Sequence, residues 1–236
     1  MGINNFDVTA RSIAAMHTVS LDYSGGFGSA SSAIAINNNA SLVGSGIQLT
    51  TNVNNQRGSA WYNLPVPVSA FSTTFTFQIA SGGTADGMTF CIQKNATTTI
   101  GTGAGYLGIG SMPNSCAVKF DLYSNNGEGT TSTGVYLNGA QPYNTGSFSM
   151  SGNSVNLRGG NVMRCTLVYD GTTLSQTVVD TVTNATFTKS YTVDIPTAIS
   201  GTTAYVGFTG ATGGASAIQT VQTWTYTAPN ALSVVQ

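Results

Sequence analysis

The chain has 236 residues, which suits one large all-β domain or two small ones and is long enough to bury a full core without a disulfide or a metal. Charged residues make up only 6% of it and the formal net charge is −1, so its seven Lys and Arg cannot form the basic face that nucleic acid or an anionic membrane surface requires. There is also no apolar run long enough for a membrane-spanning helix, about 18 residues or more. Solubility must come from Asn, Thr, Ser, Gln and the 29 Gly, residues that favour turns, caps and strands over helix interiors. Such a composition is common in extracellular β proteins and points to secretion or the cell surface.

Residues 1–21 read as an N-terminal extension or a first edge strand. They lack a basic region followed by an apolar stretch, so no signal peptide is visible, and secretion would require that it has been trimmed. Arg11 to Met16 fits a short helical turn. Phe71 to Ile79 reads as a strand whose residues alternate between apolar and polar once it reaches Phe75, the period of one buried face. Val162 to Tyr169 and Thr173 to Asp180 read as strands joined at Asp170-Gly171, a tight-hairpin signal. Asn184 to Val193, Ala204 to Thr209 and Val221 to Tyr226 supply further strands, with a helical turn over Pro196 to Ile199. Many short strands with Gly, Asn and Pro punctuation predict an all-β antiparallel sandwich or jelly roll. The tail over 229–236 is apolar enough to dock but has no strong pattern. Cys91, Cys116 and Cys165 match no zinc spacing and read as small apolar core residues.

The acids are few. Asp170 is explained by its turn, while Asp180 and Asp194 sit near strand ends, where a solvated role is expected. That leaves Asp86, in Ala85-Asp86-Gly87, and the stretch Val118-Lys-Phe-Asp-Leu-Tyr-Ser-Asn-Asn-Gly-Glu128. Here a strand ends at Asp121 and a polar loop follows. Asp121, Asn125 and Glu128, with the carbonyl of Tyr123, offer hard oxygens suited to calcium, although the spacing is not that of an EF-hand and by itself better fits an ordinary polar loop.

In order along the chain, several segments resemble the legume-lectin (L-type) domain. Phe71-Ser-Thr-Thr-Phe-Thr-Phe77 resembles its F-S-T-S-F-S-F strand, and Ala85-Asp86-Gly87-Met-Thr-Phe90 its A-D-G strand. Gly105-Tyr-Leu-Gly-Ile109 resembles its G-(F/Y)-L-G loop, Ala117 to Asn125 its V-E-F-D metal loop, and Gly134-Val-Tyr-Leu-Asn138 the strand after it. Val206 to Gly213 resembles V-G-F-S-A-x-T-G, and Gln222-Thr-Trp-Thr-Tyr226 the closing L-S-W-S-F strand. The likeness covers residues 22–228, and around Gly127-Glu128-Gly129 and Ser132-Thr-Gly134 it is nearer to bacterial members than to plant ones.

The resemblance implies a jelly-roll β-sandwich of the concanavalin A-like group and calcium-dependent binding of glycans, without catalysis. Asp86 is then expected to accept hydrogen bonds from two sugar hydroxyls, across a cis Ala85–Asp86 peptide. Gly105 would donate its N–H, Asn125 would serve calcium and sugar together, and Tyr123 would stack on the ring. Gly214 and Ala215 fall in a short specificity loop without large side chains, so a shallow, weak site is expected. The calcium ligands would be Asp121, Tyr123, Asn125 and Glu128, with Glu128 standing in for an aspartate in a shortened loop.

The likeness fails at the second, transition-metal ion of plant members. Its glutamate position holds Lys119, and its histidine falls near Ser132. One calcium and no second ion are therefore expected, with Lys119 either taking the place of that ion or remaining a solvated strand residue. An enzyme is not expected: Glu128 is the only glutamate, no strand carries two acids at alternating spacing, and the single His17 lies outside the recognisable domain. The rival reading is a structural subunit of a surface layer, biofilm or filament that keeps the fold. Self-association into a homo-oligomer is compatible with either.

Overall fold

The alternation and punctuation of the sequence become two antiparallel sheets packed face to face. The computed structural model describes residues 18–28, 32–80, 82–143 and 145–229. In chain order its strands are β1 (Thr18–Tyr23), β2 (Ile34–Asn38), β3 (Ser41–Val43), β4 (Gly46–Thr50), β5 (Arg57–Tyr62), β6 (Val66–Pro67), β7 (Phe71–Ile79) and β8 (Gly87–Gln93). There follow β9 (Ser115–Asp121), β10 (Ser132–Leu137), β11 (Phe148–Ser149), β12 (Val162–Tyr169), β13 (Thr173–Asp180), β14 (Thr186–Thr192), β15 (Thr203–Ala211) and β16 (Gln219–Pro229). One sheet runs β14-β13-β12-β7-β16-β4-β3, with β1 also on β16; the other runs β11-β10-β9-β8-β15-β5-β2, with β6 also on β15. The strands expected from the sequence are all present. The turn Arg11 to Met16, His17 and residues 230–236 lie outside the described residues.

Aromatic rings fill the space between the sheets. Phe75 of the first sheet meets Phe208 of the second edge-on at 5.1 Å, and Phe77 lies 4.7 Å from Phe120. Trp224 packs against Phe208 at 5.2 Å, in the edge-to-face manner that ring quadrupoles favour. Cys116 and Cys165 are free thiols buried in this interior, and Cys91 is a free thiol buried on the opposite face of the second sheet.

The outer faces of the two sheets differ. On the first, Thr188, Thr177, Thr166, Thr74 and Thr225 stand in one cross-strand row. The hydroxyls of Thr74 and Thr166 are 3.0 Å apart. A hydroxyl-covered sheet is how so uncharged a chain meets water. On the second sheet every residue of β8 and β9 is buried. The segment between those strands folds back over the sheet: Thr209 donates to the carbonyl of Leu107 at 2.7 Å, and Trp61 to that of Thr99 at 2.8 Å. Trp61, Cys91, Ile109, Met112, Ala117 and Tyr136 form a second small core beneath it.

The acids set aside from the sequence serve the fold. Asp170 accepts from the N–H groups of Thr172 and Thr173 in its hairpin turn. Asp194 caps the short helix α1 (Ile195–Ile199) by accepting from the Thr197 N–H at 3.0 Å. Asp180 departs from expectation. It is 2% exposed rather than solvated, because its carboxylate turns inward to accept from Asn161, Val182 and Thr183. Burial pushes its pKa up, but these hydrogen bonds more than offset that and hold it below the ordinary carboxylate value.

A depressed folded-state pKa contributes stability above about pH 4, the unfolded value, which is lost as pH falls through the folded value. Asp180→Ala should therefore cost about 1–3 kcal/mol at pH 7, the price of orphaned donors. Urea denaturation should show a smaller deficit at pH 3; an equal deficit at both pH values would count against this account.

Candidate functional site

Five loops converge at one end of the second sheet. The Ala85–Asp86 turn enters β8, residues 102–106 include a short helical turn, residues 123–125 leave β9, Tyr143 follows β10, and residues 213–215 leave β15. Together they line a depression of about 510 Å³, within the usual range for small-molecule sites. Asp86, Gly105, Tyr123, Asn125, Gly214 and Ala215 all line it, although they come from four separate stretches of chain.

Asp86 is held by its backbone. The Ala85–Asp86 peptide is cis. Its N–H donates to Ala211 at 3.1 Å and its carbonyl accepts from Leu122 at 2.7 Å. The side chain is 4% exposed, and among the described residues its Oδ2 has no hydrogen-bond partner. Burial, and then the nearby charge of Asp121, push its carboxyl up to about 7. A buried acceptor without a donor is costly, so this oxygen is suited to a ligand's hydroxyl. Two glycines give the polar side chains of the depression room. A Cβ at Gly213 would lie 2.9 Å from Asp86 Oδ2, and one at Gly105 would lie 2.7 Å from the amide atoms of Asn125.

The loop after β9 is organised by its acids. Asp121 Oδ1 accepts from the Tyr123 N–H at 3.1 Å. Glu128, 4% exposed, accepts from the N–H groups of Asn125 at 2.9 Å and Asn126 at 2.7 Å. This folds the loop back and leaves the Tyr123 ring 43% exposed beside the exposed Asn125. Asp121 and Glu128 lie below the depression rather than in its wall. Burial pushes the Asp121 carboxyl up to about 6 against the opposing pull of Lys119.

Lys119 is not a solvated strand residue. It is fully buried, with Nζ 2.8 Å from Asp121 Oδ2. It also donates to the carbonyls of Pro142 at 2.6 Å and Tyr143 at 3.3 Å, and stands 5.5 Å from the centre of the Tyr136 ring. Burial lowers its pKa, with Asp121 and Glu128 opposing. Ser132 sits opposite Asp121 in β10, its buried hydroxyl without a partner among the described residues.

Three contributors escaped sequence reasoning. Tyr143 lines the depression from a loop with no local signal, and Tyr106 from a position quoted only as part of a motif. Arg158 donates to the carbonyls of Leu122 at 3.0 Å and Thr84 at 2.8 Å, tying the ends of the Asp86 and Asp121 segments together. Only the fold reveals these contacts.

Comparison with known proteins gives the family and the fold. The sequence profile of the legume lectin domain matches residues 18–233. A Robinia pseudoacacia protein described as a bark agglutinin is 28% identical over 208 residues, covering 80% of this chain and 74% of that protein. The crystal structure of the basic winged bean lectin with Tn-antigen matches with a TM-score of 0.79 at 23% identity, over 91% of this chain and all of that one. Peanut lectin matches with 0.78 at 24%, over 92% and 100%.

The burial of Lys119 makes a prediction. Lys119→Met leaves Asp121 buried without its cation and should cost about 3–5 kcal/mol. A solvent-facing lysine would cost no more than about 0.5 kcal/mol. Urea denaturation at pH 7.5 in the presence of chelator separates the two.

Proposed function

The chain belongs to the legume lectin domain family, whose members are non-enzymatic carbohydrate-binding proteins, and on that premise we propose that the depression at Asp86 binds a sugar ring with calcium seated beneath it. The Oδ2 of Asp86, buried beside Gly213 without a partner among the described residues, in the depression that Asn125 and Gly105 also line, carries this reading. A sugar offers paired hydroxyls on its edge and C–H groups on its faces. The Asp86 carboxylate can accept from two hydroxyls. Gly105 lies in a helical turn, whose opening N–H groups have no acceptor inside the turn, so one can donate to the sugar. The Asn125 amide can donate as well as accept. The exposed Tyr123 ring presents a negative π-face to the C–H groups.

The donor set fits a calcium ion. Asp121, Glu128, the Asn125 amide and the Tyr123 carbonyl are hard oxygens, and calcium accepts such mixed carboxylate and carbonyl sets. Among the described residues no three His, Cys, Asp or Glu gather into one cluster, so amide, carbonyl and water oxygens would complete the coordination. Asp86, Asp121 and Glu128 are buried carboxylates of this end of the sheet and Lys119 is its buried ammonium, so a divalent cation would offset remaining negative charge. Calcium would supply charge neutralisation and fix the loop. By the likeness in sequence Lys119 would stand where plant members hold a second ion, so a single calcium is expected.

The wall at Gly214 and Ala215 adds no large side chain. Affinity for a single ring should be weak, about −4 kcal/mol or near millimolar, and useful adhesion would draw on several sites at once. The hydroxyl-rich, nearly uncharged surface supports a place outside the cell or on its surface, and among the described residues no helix is long and apolar enough to cross a membrane.

A glycan array in millimolar calcium, repeated after chelation and with Asp86→Ala, tests the proposal. Binding should require calcium and vanish in the variant. Absence of binding by a folded protein in both conditions would favour the assembly role instead. Lys119→Glu should raise affinity for manganese or zinc at least tenfold in calorimetry; unchanged affinity would refute the part assigned to Lys119.

A further inference from the structure

The ladder between β8 and β9 ends at the pair Gly87 and Asp121. Asp86 and Leu122 lie one residue beyond it, where sheet pairing no longer fixes the backbone. Leu122 still donates its N–H to the Asp86 carbonyl at 2.7 Å, so the place of Asp86 depends on what holds Leu122.

Arg158 holds it. This half-buried residue lies between β11 and β12 and does not line the depression. Its Nε donates to the Leu122 carbonyl at 3.0 Å, and its Nη2 donates both to that carbonyl and to the Thr84 carbonyl at 2.8 Å. Thr84 precedes Asp86 by two residues, and its own N–H donates to the Ser216 carbonyl at 3.1 Å, next to Ala215. One guanidinium therefore grips the segments that carry Asp86 and Tyr123 and, through Thr84, is linked to the wall at Gly214 and Ala215. Its planar fork is rigid and always charged, so it fixes both carbonyls in one geometry. The base of the fork is anchored too. The Arg158 N–H donates to Asn156 Oδ1 at 3.0 Å, and the Gly160 carbonyl accepts from Gln78 of β7 at 2.7 Å. Arg158 is thus a strut from the first sheet to the loops of the second.

We propose that Arg158 is a positioning residue for the sugar site: it touches no ligand, and through the Leu122 and Thr84 carbonyls it holds the Asp86 carboxylate where the hydroxyls of a ring meet it. This rests on the reading of Asp86 as a sugar site. A binding group must be kept within about 0.5 Å of its productive place by the contacts behind it. Backbone released at Leu122 and Thr84 would have to be ordered again as the ligand binds, which lowers affinity.

The full chain in millimolar calcium, applied to an array of immobilised neutral monosaccharides, tests this, with urea denaturation and hydrogen exchange of the same proteins. Arg158→Ala should bind about tenfold more weakly than wild type, a difference of about 1.4 kcal/mol. Without sugar, its Leu122 amide should exchange faster. Arg158→Lys, which keeps the charge but not the fork, should recover only part of the affinity. Asp194→Ala removes a helix cap beside Tyr169, at the Phe71 end of the sandwich and away from the depression. It should lower stability and leave affinity unchanged. Wild-type affinity in both Arg158 variants, an equal loss in Asp194→Ala, or a Leu122 amide that keeps its wild-type exchange rate would overturn the role of Arg158 and leave the Asp86 site standing. If Arg158→Ala does not fold, Arg158→Lys decides by the same readings, because it too should lose affinity. No binding by a folded wild type would overturn both.

Discussion

A buried ammonium is tolerable only where carboxylate and carbonyl oxygens surround it, and the site is arranged around one. Lys119 and Asp121 point to the same side of β9, and the two are joined at 2.8 Å with no exposure to water. Asp121 in turn receives the N–H of Tyr123, which starts the loop carrying Asn125 and Glu128. The other donors of Lys119 reach Pro142 and Tyr143, across the depression from that loop. One cation therefore fixes two loops that share no strand pairing with each other.

The sandwich makes this arrangement possible by covering its second sheet on both faces. Phe90, Phe120 and Phe208 point between the sheets, while Thr89, Lys119, Asp121 and Thr209 point outward beneath the loops. Polar residues buried on that outward side need partners, and they find them in each other and in loop carbonyls. Thr89 and Thr209 share a hydrogen bond at 2.7 Å, and Thr209 also holds Leu107. The loop containing Gly105 is thus tied to the sheet by the same hydrogen bonds that satisfy it. The first sheet, wet on its outer face, needs no such cover and carries threonines instead.

A sandwich of this kind does not fix a function, because a fold supports whatever chemistry its loops present. The argument here lies in the conjunction at one depression. A buried carboxylate oxygen without a partner among the described residues, a glycine pressed against an asparagine amide and an exposed tyrosine ring are a costly combination for a scaffold that binds nothing. They match the alternation of polar edge and apolar face that defines a sugar ring. Family membership adds independent support, since the profile spans nearly the whole described region.

Strand period, turn residues and motif order lie in local sequence, and local rules suffice for them. The alternation from Phe71 to Ile79, the Asp170-Gly171 hairpin and the Asp194 cap follow from neighbours within a few residues, and each stands where its residues point. The motifs also located Asp86, Gly105, Tyr123, Asn125, Gly214 and Ala215 in the linear chain, and these six share one depression. Burial of polar residues was not legible in the same way. The alternation in β9 places Lys119 and Asp121 on a face that looks wet in one dimension, yet loops distant in sequence cover it, and Asp180 is enclosed by donors from Asn161, Val182 and Thr183. Tyr143, Tyr106 and Arg158 join the site only through contacts made across the fold. A sequence shows which residues can alternate, turn or cap; whether a charge faces water or another charge depends on which remote segment packs above it, and that is decided only when the sheets close.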